Sequence, residues 1–162
     1  MSENDLTIIN SQGNSLDGKA ASSEIKAHLA AYEARPDCRA VVHAHPPTAT
    51  GFSVAGRGIP DNVLPEATVV LGPVVTLPFA MPGTDEVPDG MKPHLPEHNT
   101  FLLSNHGALV LGKDVFDACY RMESLESVAK ILLVAETVGT AKPMPEQAHA
   151  KLVQASANRR FN

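Results

Sequence analysis

The chain has no tryptophan, and its aromatic residues, five Phe and two Tyr, make up only 4% of 162 residues. A core without large rings must rest on Val, Leu, Ile and Ala, and the 43% hydrophobic content is that of an ordinary soluble globular protein. Cysteine is almost as scarce. Cys38 and Cys119 lie far apart in different predicted elements; they could form a disulfide, but a reduced cytosolic pair is expected in a chain of this size. No run of basic residues exceeds Arg159-Arg160 and the formal charge is −5, so nucleic-acid binding has no electrostatic footprint. That balance still allows an anionic substrate, because backbone N–H groups can bind phosphate. No apolar run reaches membrane-spanning length, and no N-terminal segment has the form of a signal peptide. A cytoplasmic protein with no membrane partner is expected, built as one domain over residues 1–162 without repeats.

Strands are expected at Leu6–Ile9, Cys38–His45, Thr68–Leu71, Val74–Leu77, Phe101–Leu103 and Ala108–Leu111. A first helix begins at Ser22 or Ser23, with a hydroxyl as N-cap and Glu24 in the first turn, and ends at Arg35-Pro36. Thr48–Ala55 forms a short helix, and any helix in the proline-rich stretch 82–98 is short and begins near Pro88. Asp114 caps the longest helix, which runs to about Val138 with Val115, Ala118, Cys119, Met122, Leu125, Ala129, Leu132 and Val138 as its apolar face. A proline-flanked linker and a short polar helix follow. Strands and helices mixed on one core imply a layered α/β domain.

Two histidine sites stand out. In Val41-Val42-His43-Ala44-His45-Pro46-Pro47, strand alternation puts His43 and His45 on one face, and the prolines end the strand where a substrate could reach a metal. The same pair also reads as two polar residues at a strand terminus. Ser104-Asn105-His106-Gly107 is a turn between two strands, in which Gly107 is free to take a positive φ. Were the two sites adjacent, three neutral imidazoles would offer the ligand set of an open zinc site. Glu24, just inside a helix N-terminus, is either a carboxylate that satisfies the helix dipole or a metal ligand or base. Ser22 and Ser23 are N-caps or phosphate donors. His28 reads as a core or supporting histidine, and His94, His98 and His149 as surface residues. Glu123, Glu126 and Arg121 read as helix-surface charges, with a partner within reach of Arg121.

Taken in order, Ser22-Ser23-Glu24, His43-Ala44-His45-Pro46 and Asn105-His106-Gly107 resemble the class II aldolase/adducin family, whose fuculose-phosphate aldolase branch is the nearest mechanistic model. Ala31-Tyr32-Glu33-Ala34-Arg35-Pro36-Asp37, Pro82-Gly83-Thr84 and the helix from Asp114 extend the likeness from Leu6 to about residue 140. The resemblance implies a three-layer α/β/α sandwich around a largely antiparallel central sheet, usually assembled as a homotetramer. It implies that His43, His45 and His106 bind Zn²⁺ or another divalent metal, that Glu24 is the catalytic acid/base, and that Ser22 and Ser23 bind the phosphate of a small sugar phosphate. The implied reaction is a retro-aldol cleavage through a metal-stabilised enediolate. Glu24, where the epimerase branch typically has aspartate, leans toward the aldolase or a related dehydratase.

Three departures accompany the likeness. Family members carry Gly-Asn and Thr-x-x-Gly phosphate loops ahead of the strand at Leu6, and this chain is expected to lack that half of the anion cradle. Leu64 stands where the aldolase places a tyrosine acid, and the tail Arg159-Arg160-Phe161-Asn162 has no tyrosine. The function that the resemblance implies is a metal-dependent lyase acting on a small sugar phosphate or related hydroxy-carbonyl compound, and the departures bear on its substrate apparatus. The alternatives are a non-catalytic adducin-like scaffold or a dehydratase/epimerase acting on a pentulose phosphate.

Overall fold

Side-chain alternation along β1 (Ala40–Ala44) divides the strand between two hydrophobic clusters: Ala40, Val42 and Ala44 join one, and Val41 joins the other. β4 (Gly107–Gly112) splits the same way, Ala108 and Val110 against Leu109 and Leu111. So does β3 (Thr100–Leu103), with Leu102 set against Phe101 and Leu103. The first cluster lies under α2 (Pro47–Val54) and α4 (Val115–Val138), which contribute Phe52, Met122, Leu125 and Val128. The second lies under α1 (Ile25–Ala34) and α3 (Glu86–Met91), through Ala27, Ala31, Val87 and Met91. The result is the expected three-layer α/β/α arrangement. The sheet order is β1-β4-β3-β2, where β2 is Val74–Leu77; β1/β4 and β4/β3 are antiparallel and β3/β2 is parallel.

The computed structural model describes residues 2 and 5–157, so the tail at 159–162 lies outside the described residues. Asp114 caps α4 as expected, its carboxylate accepting the Asp117 N–H at 2.8 Å. Ala118, Met122, Leu125, Ala129 and Leu132 are buried, joined by Val128. Val115, Cys119 and Val138 are instead exposed, as are Phe116, Tyr120 and Val134. The end of α1 is tied down by Arg35, which bonds Asp37 in bidentate fashion at 2.8 and 2.6 Å and reaches the Leu95 carbonyl and Asn99 Oδ1. α5 (Glu146–Ala157) is the last element among the described residues. No helix among the described residues is long and apolar enough to cross a membrane.

Two expected strands are absent. At Leu6–Ile9 only an isolated bridge forms, between Ile9 and Ser15, and Leu6 and Ile8 are exposed. Alternation marks a strand only where a neighbour accepts its ladder, and none does among the described residues. Thr68–Leu71 is not extended either: Ala67–Leu71 forms a π-helical turn. Its β-branched residues favour a strand, but tertiary partners override them. The Thr68 hydroxyl donates to the Asp61 carbonyl at 2.7 Å, Arg121 to Val70 O, and the Thr100 hydroxyl to Leu71 O at 3.0 Å. Arg121 is thus a partly buried anchor for this turn rather than a surface charge.

Candidate metal centre

The antiparallel register places Ala44 opposite Ala108 and His43 opposite Leu109. Continued one step, it sets His45 beside Gly107, with His106 next along the same chain. The end of β1 and the start of β4 therefore share one corner of the sheet. There the rings of His43, His45 and His106 stand 4.8–5.2 Å apart by centroid. One potential ligand nitrogen from each lies within 4.8 Å of the others. His43 and His106 are half-buried and His45 is exposed, so the cluster opens to solvent on one side.

The protonation pattern suits a cation. His43 Nδ1 lies 2.9 Å from the Ala108 carbonyl, which can only accept, so Nδ1 carries the hydrogen and Nε2 presents a lone pair. That Nε2 is buried without a hydrogen-bond partner, and so is His106 Nδ1. Buried nitrogens without a partner are costly, and three convergent imidazoles, two of them with such a nitrogen, fit a divalent ion with an open position. Burial pushes the His43 pKa down, the His106 and His45 imidazoles add to this, and the Ala108 bond and Glu24 charge oppose it.

Glu24 and the serines precede α1. Glu24 itself is the N-cap residue and its side chain makes no capping bond, which corrects the expected serine cap. The Ser22 hydroxyl instead accepts the Glu24 N–H at 3.2 Å in a turn before the helix, and both serines are exposed. A Cβ on Gly83 would sit 3.4 Å from Ser23 Cβ, so the Pro82-Gly83-Thr84 loop borders this turn. The half-buried Glu24 carboxylate acts electrostatically on both His43 and His28. His28, one helical turn on, is held below the ordinary imidazole range by burial and then by His43, with Glu24 opposing.

Metal-free protein should reveal these two depressed histidines. The unfolded chain takes up protons first as pH falls, so their contribution to stability is present above about pH 6.5 and is lost as pH drops through the folded-state values. Chelator-treated protein is expected to melt at a lower temperature at about pH 5.5 than at about pH 7.5, and His28→Gln to flatten that difference. Identical pH profiles of wild type and variant would contradict the assignment.

Two further residues shape the site. Asn105, not Gly107, takes the positive φ, at 56°. Gly107 is needed for a different reason: a Cβ there would fall on His45 Cδ2 and stand 2.6 Å from the Ala44 carbonyl oxygen. Glu126 is no solvated charge, since it reaches from α4 to the start of α2, directly after His45-Pro46. The spacing of 78 residues between Glu126 and Thr48 leaves no local sequence signal for that contact. A cavity of about 270 Å³ opens beside His106, lined by Leu77, Phe79, Val87, Gly90 and Leu103. A larger cavity, about 510 Å³ between the π-helical turn and α5, includes none of the three clustered histidines.

The model of the Class II Aldolase and Adducin N-terminal domain family matches residues 1–133, and the chain belongs to that family. It is 31% identical over 135 residues to the 3-oxo-tetronate 4-phosphate decarboxylase of Haemophilus influenzae, a match covering 81% of this chain and 64% of the relative's length. It is 30% identical over 145 residues to the L-fuculose phosphate aldolase of Escherichia coli, covering 90% of this chain and 66% of that protein. Among solved structures, an L-fuculose 1-phosphate aldolase superposes with a TM-score of 0.86 at 26% identity, covering 96% of this chain and 73% of the other. The chain thus spans just under two thirds of the length of the two relatives matched by sequence.

Proposed function

We propose that this protein is a metal-dependent lyase that breaks a carbon–carbon bond beside the carbonyl of a small phosphorylated hydroxy-carbonyl compound. The observation that carries this reading is the convergence of His43, His45 and His106, with buried, partnerless nitrogens on His43 and His106. In the proposal these three hold zinc or another divalent ion. When bound, such an ion supplies Lewis-acid charge to the substrate's carbonyl and neighbouring hydroxyl oxygens. The Ala108 carbonyl holds the His43 ring in one tautomer and orientation. The carboxylate of Glu24, uncommitted to capping, moves the proton at the carbon that keeps the bonding pair. The Ser22 oxygen already accepts the Glu24 N–H, which leaves its O–H to donate outward to a phosphate beside Ser23.

In the retro-aldol form, the departing half loses its hydroxyl proton as its carbonyl forms, and the other half gains a proton at carbon. A second reading, decarboxylation of a 3-oxo acid phosphate, is favoured by one observation. Leu64, at the position of the family's tyrosine acid, packs against the cluster under α2 and α4 and brings no acid to the cleft. Loss of CO₂ needs no proton removed from the departing half. The similarity to 3-oxo-tetronate 4-phosphate decarboxylase agrees with it.

Elemental analysis of wild type and His45→Ala tests the centre: about one divalent ion per chain is expected in the first and little in the second. Equal, near-zero content in both would favour an adducin-like scaffold. Aldehyde release from ketose phosphates, measured against CO₂ release from 3-oxo acid phosphates, then separates the two lyase forms. We place the enzyme in the cytoplasm as a homotetramer; the outward side chains of Phe116, Tyr120, Ile131 and Val134 on α4 support self-association.

A further inference from the structure

We propose that Glu126 is a positioning residue for the metal-binding histidines, acting through α2 from the opposite face of the sheet. The inference rests on the metal-centre reading above. α2 begins with Pro46 as its N-cap residue and Pro47 as its first helical residue, so no side-chain acceptor is available locally for its first free amides. Glu126 supplies one across the fold. Its carboxylate takes the Thr48 N–H at 2.9 and 3.1 Å, the Ala49 N–H at 3.0 Å and the Thr48 hydroxyl at 2.7 Å. A carboxylate at the positive end of a helix is favoured further by the helix dipole.

α2 touches both ligand segments. Only Pro46 and Pro47 separate His45 from the clamped Thr48, and the fixed φ of each proline makes that link stiff. At the other end of α2, the buried Ser53 hydroxyl accepts the Asn105 N–H at 3.2 Å and donates to Thr50 O at 2.8 Å. Asn105 immediately precedes His106. One helix, seated by one carboxylate, therefore sets the end of β1 that carries His45 against the turn that carries His106.

The test uses the full chain loaded with Co²⁺ or Zn²⁺. Glu126→Gln keeps the shape but loses the charge and one acceptor oxygen. It is expected to weaken metal affinity by roughly 10–100-fold and to alter the Co²⁺ ligand-field spectrum. Ser53→Ala, a milder change, should move both readouts in the same direction. Arg57 pairs with Glu136, lies over the Phe52 ring and ties the segment after α2 to α4, but takes no part in the Glu126 or Ser53 bonds, so Arg57→Ala should keep wild-type affinity and spectrum. A Glu126→Gln protein that melts earlier yet binds metal with wild-type affinity and spectrum would reduce Glu126 to a helix cap and overturn the proposal. A Ser53→Ala protein indistinguishable from wild type in both readouts would overturn it as well. Failure of wild type itself to bind a divalent ion would instead sink the metal-centre reading, and this inference with it.

Discussion

Gly107→Ala is expected to cost the protein both stability and the divalent-metal affinity proposed for the histidine cluster. The added methyl would meet His45 Cδ2 and the Ala44 carbonyl, and the carbonyl belongs to a strand held in register by β4 itself. Neither neighbour can yield cheaply. The ring must swing out of the cluster or β1 must shift against β4, and either movement displaces a histidine of the proposed metal centre. Overpacking of this kind costs about 1–3 kcal/mol, and for a chain of this size each kcal/mol lowers Tm by roughly 2–4 °C. Metal affinity should fall at least as far as it does when an orienting partner is removed, roughly 10–100-fold. Gly112→Ala separates the two effects. It sits at the far end of β4, where a Cβ would come 2.9 Å from Ala118 Cα, a comparable clash remote from the histidines. Calorimetry should show both variants destabilised, and metal titration should show only Gly107→Ala impaired. Normal metal binding by Gly107→Ala would mean that His45 has room the structure does not show.

The reason for Gly107 also marks the limit of what the sequence reveals. Its neighbourhood reads as unusual from Asn105-His106-Gly107 alone, and a left-handed glycine is the ordinary expectation for such a turn. The actual cause is the approach of a ring on another strand, which depends on the β1/β4 register. The shared face of His43 and His45 is legible because it needs only the two-residue period of a strand. Their meeting with His106 is not legible from spacing, because 61 residues of chain separation (106 − 45) can be routed in many ways. Family resemblance supplies that step. Arg121 and Glu126 escape a sequence reading for a related reason. On a helix surface a charged side chain looks solvated until the fold brings backbone groups to it, as Val70 O is brought to Arg121 and the amides of Thr48 and Ala49 to Glu126. Thr68–Leu71 follows the same rule, since its β propensity is outweighed by partners from three other segments.

Glu24→Gln is expected to remove most turnover while leaving the fold and the bound metal in place. Glutamine matches the carboxylate in size but can neither accept nor release the proton. Loss of a positioned proton-transfer group typically costs 10²–10⁴-fold in rate, so a kcat lower by about that factor is expected. Structural damage should be small, because the Glu24 side chain makes no capping bond and the turn is held by backbone contacts to Ser22 and by its hydroxyl. A change within about 0.5 kcal/mol of stability is therefore expected. Metal content should also persist, since the three imidazoles form the close-set ligand group without it. Running the reaction in D₂O sharpens the assignment. Wild type should place one deuterium at the product carbon that kept the bonding pair, on one face, whereas any residual turnover by the variant should lose that facial preference as bulk solvent supplies the proton. A variant with wild-type kcat and unchanged stereochemistry would assign the proton to another group. His28 is then the next candidate, since its imidazole lies within electrostatic reach of both Glu24 and His43.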